Sequence, residues 1–90
     1  MYSIEYTGLF IKQSKLCKKR GCNIDLLEKT IQLLADTGKL PPEYKPHRLI
    51  GRYAGCWECH IKSDWLLVWK QDDDKLILLF TNTGTHSDIF

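Results

Sequence analysis

Three consecutive acids, Asp72-Asp73-Asp74, separate two strand-like segments and leave the chain few ways to fold. Before them, the strand-like segment 65–70 is built from Trp, Leu and Val as far as Lys70. After them, Leu76-Ile77-Leu78-Leu79-Phe80 forms the apolar part of a strand over about 75–82. A connection this short turns the chain back antiparallel to itself, because a parallel partner needs a crossover of a dozen residues or more. Upstream, residues 51–55 and 57–62 also read as strands, since successive residues alternate in character from Tyr53 to His60. The second half is therefore expected to be an antiparallel meander.

The first half has a different period. Met1 to Tyr6 reads as a short strand with apolar residues on alternate positions. Thr7 then offers an N-cap for a helix running to about Arg20, with Gly21 as its stop. Asn23 or Asp25 caps a second helix. There Ile24, Leu27, Ile31 and Leu34 share one face, Leu26 and Leu33 widen it, and Thr37-Gly38 ends it. Residues 39–47 hold all three prolines and form a stiff loop that fits neither a helix nor a central strand. Ninety residues with 43% hydrophobic content suit one domain, 1–90, around a single modest core. The predicted class is α+β, an N-terminal strand and two helices packed on a twisted antiparallel sheet.

No apolar run approaches the roughly 20 residues a bilayer requires. The N-terminus lacks a basic segment followed by an apolar one. The expectation is a cytoplasmic protein with no membrane association.

The four cysteines offer a false lead. Cys56-x-x-Cys59-His60 matches the attachment pattern for c-type haem, a chemistry tied to export. The same stretch reads as a strand, whereas that haem motif favours a helix or turn. Cys17 and Cys22 could join Cys56 and Cys59 around zinc, but their C-x4-C spacing is loose for a zinc knuckle. Reduced, partly buried thiols are the simpler reading, with no cofactor and no metal.

Charge and histidine placement carry more information. The net charge is only +2, yet Lys12, Lys15, Lys18, Lys19 and Arg20 follow one another with no acid among them. Lys45, Arg48, Arg52 and Lys62 surround the histidines in sequence. A basic surface of this kind suits a polyanion, although a solvated helix face looks the same. All three histidines lie in the second half: His47 after the proline loop, His60 late in a strand and His86 just past the last strand, behind Gly84. That last placement is expected to hold His86 at a sheet edge. On an extended chain His60, Lys62 and Asp64 project to one side. Histidine exchanges protons near neutral pH, with an unperturbed pKa of about 6.5. RNA cleavage without a metal needs a base for the 2′-hydroxyl, an acid for the leaving 5′-oxygen and cations for the phosphorane. The histidines, one carboxylate and their basic surroundings supply those parts. His47, His60, Asp64 and His86 could also ligate zinc.

Three sequence blocks carry a resemblance: His47-x-Leu49-x-Gly51, Glu58-x-His60-Ile61-x-x-Asp64-Trp65-Leu66-Leu67-Val68-Trp69, and Thr83-Gly84-Thr85-His86-x-x-x-Phe90. In order and spacing the chain resembles the YafQ-like members of the RelE/ParE superfamily, bacterial toxins of type II toxin–antitoxin systems. The resemblance implies a RelE-like fold and a ribosome-dependent endoribonuclease, an mRNA interferase that cuts the codon in the decoding site. It implies a cognate antitoxin as partner, in a toxin–antitoxin hetero-oligomer. Carried over by position, His47, His60, Asp64 and His86 match the catalytic set. His86 would be the general acid, His47 and Asp64 the base and its orienting group, and His60 the residue that positions the phosphate. Trp65 and Phe90 would buttress the site or stack on a base. The lysines of the first helix and Arg20 would contact ribosomal RNA.

One departure stands out. Members commonly carry an arginine immediately before Thr-Gly-Thr-His, and Asn82 occupies that position here. Asparagine can hydrogen-bond a phosphate but brings no charge. Arg48, Arg52 or Lys62 would then supply the missing cation beside the substrate. Two other readings stay open: a ParE-like gyrase inhibitor on the same fold, which needs no histidine cluster, and a catalytically weak RNA-binding relative.

Overall fold

The computed structural model describes residues 1–90. In chain order its elements are β1 (Ser3–Tyr6), α1 (Gly8–Lys19), α2 (Ile24–Thr37), β2 (His47–Arg48), β3 (Trp57–Lys62), β4 (Trp65–Asp72), β5 (Ile77–Gly84) and α3 (His86–Ile89). Single 3-10 turns at Pro42–Tyr44 and Gly51–Tyr53 flank β2. No helix is long and apolar enough to cross a membrane.

The helix boundaries follow from local chemistry. Thr7 Oγ1 accepts the Phe10 N–H at 3.0 Å and opens α1. Asn23, not Asp25, caps α2, since its Oδ1 accepts the Asp25 N–H at 3.0 Å. Gly38 closes α2.

The five strands form one sheet in the order β1-β5-β4-β3-β2. Neighbours from β2 to β5 pair antiparallel, as the short connections require. β1 joins parallel to β5, and α1 and α2 form part of the long return. The sheet is thus an antiparallel meander with one parallel edge strand.

Three local expectations need correction. Residues 51–55 do not form a strand, because Gly51 and Gly55 both adopt left-handed backbone (φ +70° and +90°) and fold the segment into consecutive turns. Strand pairing comes instead from His47–Arg48, which lies against Trp57 and Glu58 at the sheet edge. The proline loop contains a 3-10 turn starting at Pro42, a first position where the missing N–H is not needed. The last strand begins at Ile77 and runs to Gly84, two residues later than expected. Asp72 Oδ1 accepts the N–H groups of Asp74 and Lys75, and this fixes a longer turn.

The two faces of the sheet are covered unequally. α1 and α2 pack on one face, where Phe10, Cys17, Leu27, Leu34 and Ala35 meet Cys59, Leu67, Trp69, Leu78 and Phe80. On the other face lies a small cluster of Cys56, Leu66, Val68 and Ile89, with Leu49 and Tyr53 at its margin. Only α3 and the loop before β3 cover that face, so much of it stays open.

Candidate active site

The open face carries the histidines, and the register explains why. Glu58 lies opposite Val68, and His60 opposite Leu66, so both share the side of the small cluster. His47 pairs with Glu58 and falls on the same side. The rings stand in a row, with centroids 6.5 Å apart from His47 to His60 and 6.3 Å from His60 to His86.

His47 is held at both nitrogens. Nδ1 is 2.9 Å from the Lys45 carbonyl, and Nε2 is 3.2 Å from Glu58 Oε1. A carbonyl only accepts, so Nδ1 must donate. Nε2 then faces the Glu58 carboxylate. Glu58 is 4% exposed, and its second oxygen is buried with no partner. The sequence reading missed Glu58 as a site residue. Its signal was the spacing Glu58-x-His60, which puts both residues on one strand face.

His86 is positioned by the end of β5. Gly84 has φ +148°, and a Cβ there would stand 2.7 Å from Asp88 Oδ2. The chain then enters α3 through a capping box between Thr85 and Asp88. Arg20 grips Asp88 in a bidentate pair at 2.6 and 3.2 Å. Hydrogen bonds from Arg20 first, and from the Thr85 backbone second, hold the Asp88 carboxyl down to about 2. Asp64 Oδ1 lies 3.4 Å from both His86 Nδ1 and the His86 N–H. His60 Nδ1 lies 3.4 Å from the Ser63 carbonyl.

Several expectations change at this point. Asp64 is not on an extended strand with His60 and Lys62, because it occupies the β3–β4 turn beyond a bulge at His60–Lys62. It contacts His86, while Glu58 takes the place expected for it beside His47. His86 does not sit at a lateral sheet edge. It follows the end of β5, an interior strand. Trp65 is unavailable for stacking on a base, since it is buried among the residues facing the helices and donates its indole N–H to Thr83 Oγ1 at 3.0 Å. Arg48 points away from the histidines, because residues adjacent on a strand face opposite sides. Its guanidinium lies over Trp57, 5.1 Å from the ring centroid. Arg20 is committed to Asp88 and is not a free cation on α1.

The remaining predicted residues divide between the two faces. Phe90 is exposed at the end of α3, 6.0 Å from the His86 ring and edge-on to Tyr53 at 5.2 Å. Tyr53 was not foreseen, and its hydroxyl donates to the Ile89 carbonyl at 3.0 Å. Asn82 pairs with Val68 and therefore shares the histidine face. It borders a cavity with Arg52, Tyr53 and Lys70. Lys62 is exposed at the end of β3. Lys12, Lys15, Lys18 and Lys19 are exposed on α1, which packs on the opposite sheet face. Exposed Leu9, Ile11 and Leu16 lie among them.

The cysteines do not converge. Cys17 and Cys59 belong to the main core, while Cys56 belongs to the small cluster on the other face. Burial pushes the Cys17 thiol up to about 11 and the Cys59 thiol to about 12, so their reactive thiolates are disfavoured. No three or more His, Cys, Asp or Glu side chains are grouped so as to hold a metal ion.

Known proteins share this fold. Residues 2–90 match the profile of a family described as the bacterial toxin of a type II toxin–antitoxin system, YafQ. A relative from Escherichia coli strain K12, the mRNA interferase toxin YafQ, is 39% identical over 97% of this chain and 94% of its own length. Among solved structures, the E. coli DinJ–YafQ complex contains a chain that superposes with a TM-score of 0.90 at 36% identity, covering 100% of this chain and 99% of that one. A metal-bound toxin from Helicobacter pylori superposes with a TM-score of 0.90 at 37% identity, with both chains fully covered.

Proposed function

Because this chain belongs to the YafQ family of bacterial toxins from type II toxin–antitoxin systems, we propose that it is an mRNA interferase. It acts as one domain over residues 1–90, in the cytoplasm, and cuts message held in the decoding site of the ribosome. The observation that carries this reading is the row of three imidazoles on an open sheet face, with a carboxylate behind each end.

The row suits general acid–base cleavage of a phosphodiester. His60 stands between the other two and is placed to hold the reacting phosphate. His47 and His86 flank it, so one can take the 2′-hydroxyl proton while the other protonates the departing 5′-oxygen. His86, the more exposed and loosely held of the two, is the general acid, oriented by Asp64. His47, with Nδ1 donating to the Lys45 carbonyl, is the base through Nε2, and Glu58 beside that nitrogen stabilises the imidazolium that forms. The 2′-oxygen bonds to phosphorus as the bond to the 5′-oxygen breaks, which leaves a cyclic phosphate on one fragment and a 5′-hydroxyl on the other. Phe90, 6.0 Å from the His86 ring, offers an exposed ring for a base.

The outer surface of α1 serves the partners. Lys12, Lys15, Lys18 and Lys19 contact ribosomal RNA phosphates in a salt-dependent manner. The exposed leucines and isoleucine between them suit an acidic, amphipathic segment of a cognate antitoxin, which would cover the same cations in an inactive hetero-oligomer.

Primer extension on a translated mRNA, after induction of the wild-type chain or His86→Ala, tests the proposal. Cuts within codons that require translation and vanish in the variant are expected. Growth arrest by both proteins with intact message would reject nuclease activity in favour of a binding target such as gyrase.

A further inference from the structure

A second site adjoins the histidine row. Arg52, Tyr53, Ala54, Cys56, Lys70, Thr81 and Asn82 line a cavity of about 240 Å3 on the same face of the sheet. Its volume lies below the ~300–1,000 Å3 typical of pockets for drug-sized ligands, so it fits a small group better than a nucleobase with its sugar. Two cations and no acid line it. Neither Arg52 nor Lys70 forms a salt bridge, since the ion pairs of the chain involve only Arg20, His47 and His86 as cationic members.

Asn82 gives the cavity its direction. It is only 5% exposed, and no hydrogen bond within the chain uses its side-chain amide. A buried amide without a partner loses hydrogen-bond energy it would have had in water, so such groups normally find one. Neither of its polar atoms is sealed off, and the cavity is the space it borders. The amide can donate two N–H groups into it. An arginine fork, an ammonium and an amide donor, with no competing carboxylate, are suited to phosphate oxygens.

A continuous aromatic path joins the cavity to the histidines. The Arg52 guanidinium is 6.0 Å from the Tyr53 ring, Tyr53 meets Phe90 at 5.2 Å, and Phe90 meets His86 at 6.0 Å. Resting on the reading of the chain as an RNA-cleaving toxin, we propose that this cavity binds a second, non-reacting phosphodiester of the same RNA strand. The reacting phosphate lies at His60, the strand passes over Phe90, and a phosphate further along it is held by Arg52 and Asn82. Lys70 contributes less, because it also borders a groove lined by Glu5, Asp72, Asp73 and Asp74. Such a contact is made equally before and during reaction. It therefore acts on KM and not on kcat.

The probe is a fluorescent trinucleotide with 2′-O-methyl sugars, which cannot be cleaved, titrated into the free chain at several salt concentrations. Arg52→Ala is expected to weaken binding about tenfold and to lower the slope of log affinity against log salt by about 0.7, the value for one lost contact on a single strand. Arg52→Lys should retain the slope, and Lys70→Ala should lower it by less. On programmed ribosomes Arg52→Ala should raise KM with kcat kept within about twofold. Unchanged affinity and slope in both alanine variants, with mRNA cleavage intact, would overturn the cavity's role and leave the nuclease standing. A wild-type chain that binds the trinucleotide with the expected slope change, yet never cuts mRNA, would support the cavity and reject the nuclease. Failure of the wild-type chain to bind the trinucleotide would overturn the proposal outright.

Discussion

The two faces of the sheet are made by the same strands and obey opposite rules. On one face, Trp69, Leu67, Cys59 and Phe80 lie beneath two helices and contact little but other apolar atoms. On the other, Glu58, His60 and Asn82 lie beside Leu66 and Val68, and a four-residue helix is the main cover. The strand period of two lets each strand serve both purposes. Stability accumulates on the covered face, where burial is nearly complete. The open face keeps polar groups in reach of a ligand and tolerates an unpartnered carboxylate oxygen.

The sharpest separation of the faces comes from His86→Ala. His86 is exposed and buries little, so unfolding should be almost unaffected. Loss of a general acid lowers cleavage by about 10^2–10^4-fold. A variant that lost activity and melting temperature together would break the division. The converse variant is Trp69→Ala on the covered face. Trp69 is 1% exposed and stacks on Trp57 at 6.3 Å. Its removal should destabilise the chain by about 3–5 kcal/mol, read by urea unfolding. The fraction that stays folded should still cut RNA at the wild-type rate.

Glu58 is the place where the faces conflict, since it is buried like the core but charged like the site. Glu58→Gln removes a charge whose second oxygen has no partner. Stability should change by less than about 1 kcal/mol, because the lost charge is offset by an amide that still leaves one polar atom unpartnered, and cleavage should fall because His47 loses its carboxylate. A larger fall in stability alongside the lost cleavage would show that Glu58 is a structural anchor and not a residue kept for function.

Much of the covered face was legible in the sequence, and the open face less so. Apolar periodicity located α2, with Leu27, Ile31 and Leu34 buried as expected, and Thr7 capped α1 as its position implied. These features depend on neighbours close in sequence. The contacts that build the site depend on neighbours far apart. Arg20 meets Asp88 across 68 positions, and Asp64 meets His86 across 22. No local pattern announces such pairs. Sequence could place three histidines in one half of the chain, but only the register of β2 on β3 showed that Glu58 backs His47. Residues 51–55 misled because the alternation there is interrupted by two glycines whose left-handed backbone ends any strand.

The Arg20–Asp88 pair is the one charged link between the faces, and it predicts the smallest effect. Arg20 closes α1 on the covered side, while Asp88 belongs to α3 and, through the capping box, fixes the turn that presents His86. The Asp88 carboxyl is held down to about 2, against about 3.9 for an aspartate in an unfolded chain. A depressed carboxyl contributes stability that is fully present above the unfolded value and is lost as pH falls through the folded one. Asp88→Asn keeps an oxygen for the Thr85 N–H but loses the charge that Arg20 grips. Wild type should therefore exceed the variant in urea midpoint at pH 6 by a modest margin, because the pair is partly exposed and screened. That margin should shrink below about pH 4 and be mostly gone at about pH 2. A margin that stays constant down to pH 2 would mean that the amide fails as a cap, and that the link between the faces is the hydrogen bond to Thr85 and not the ion pair.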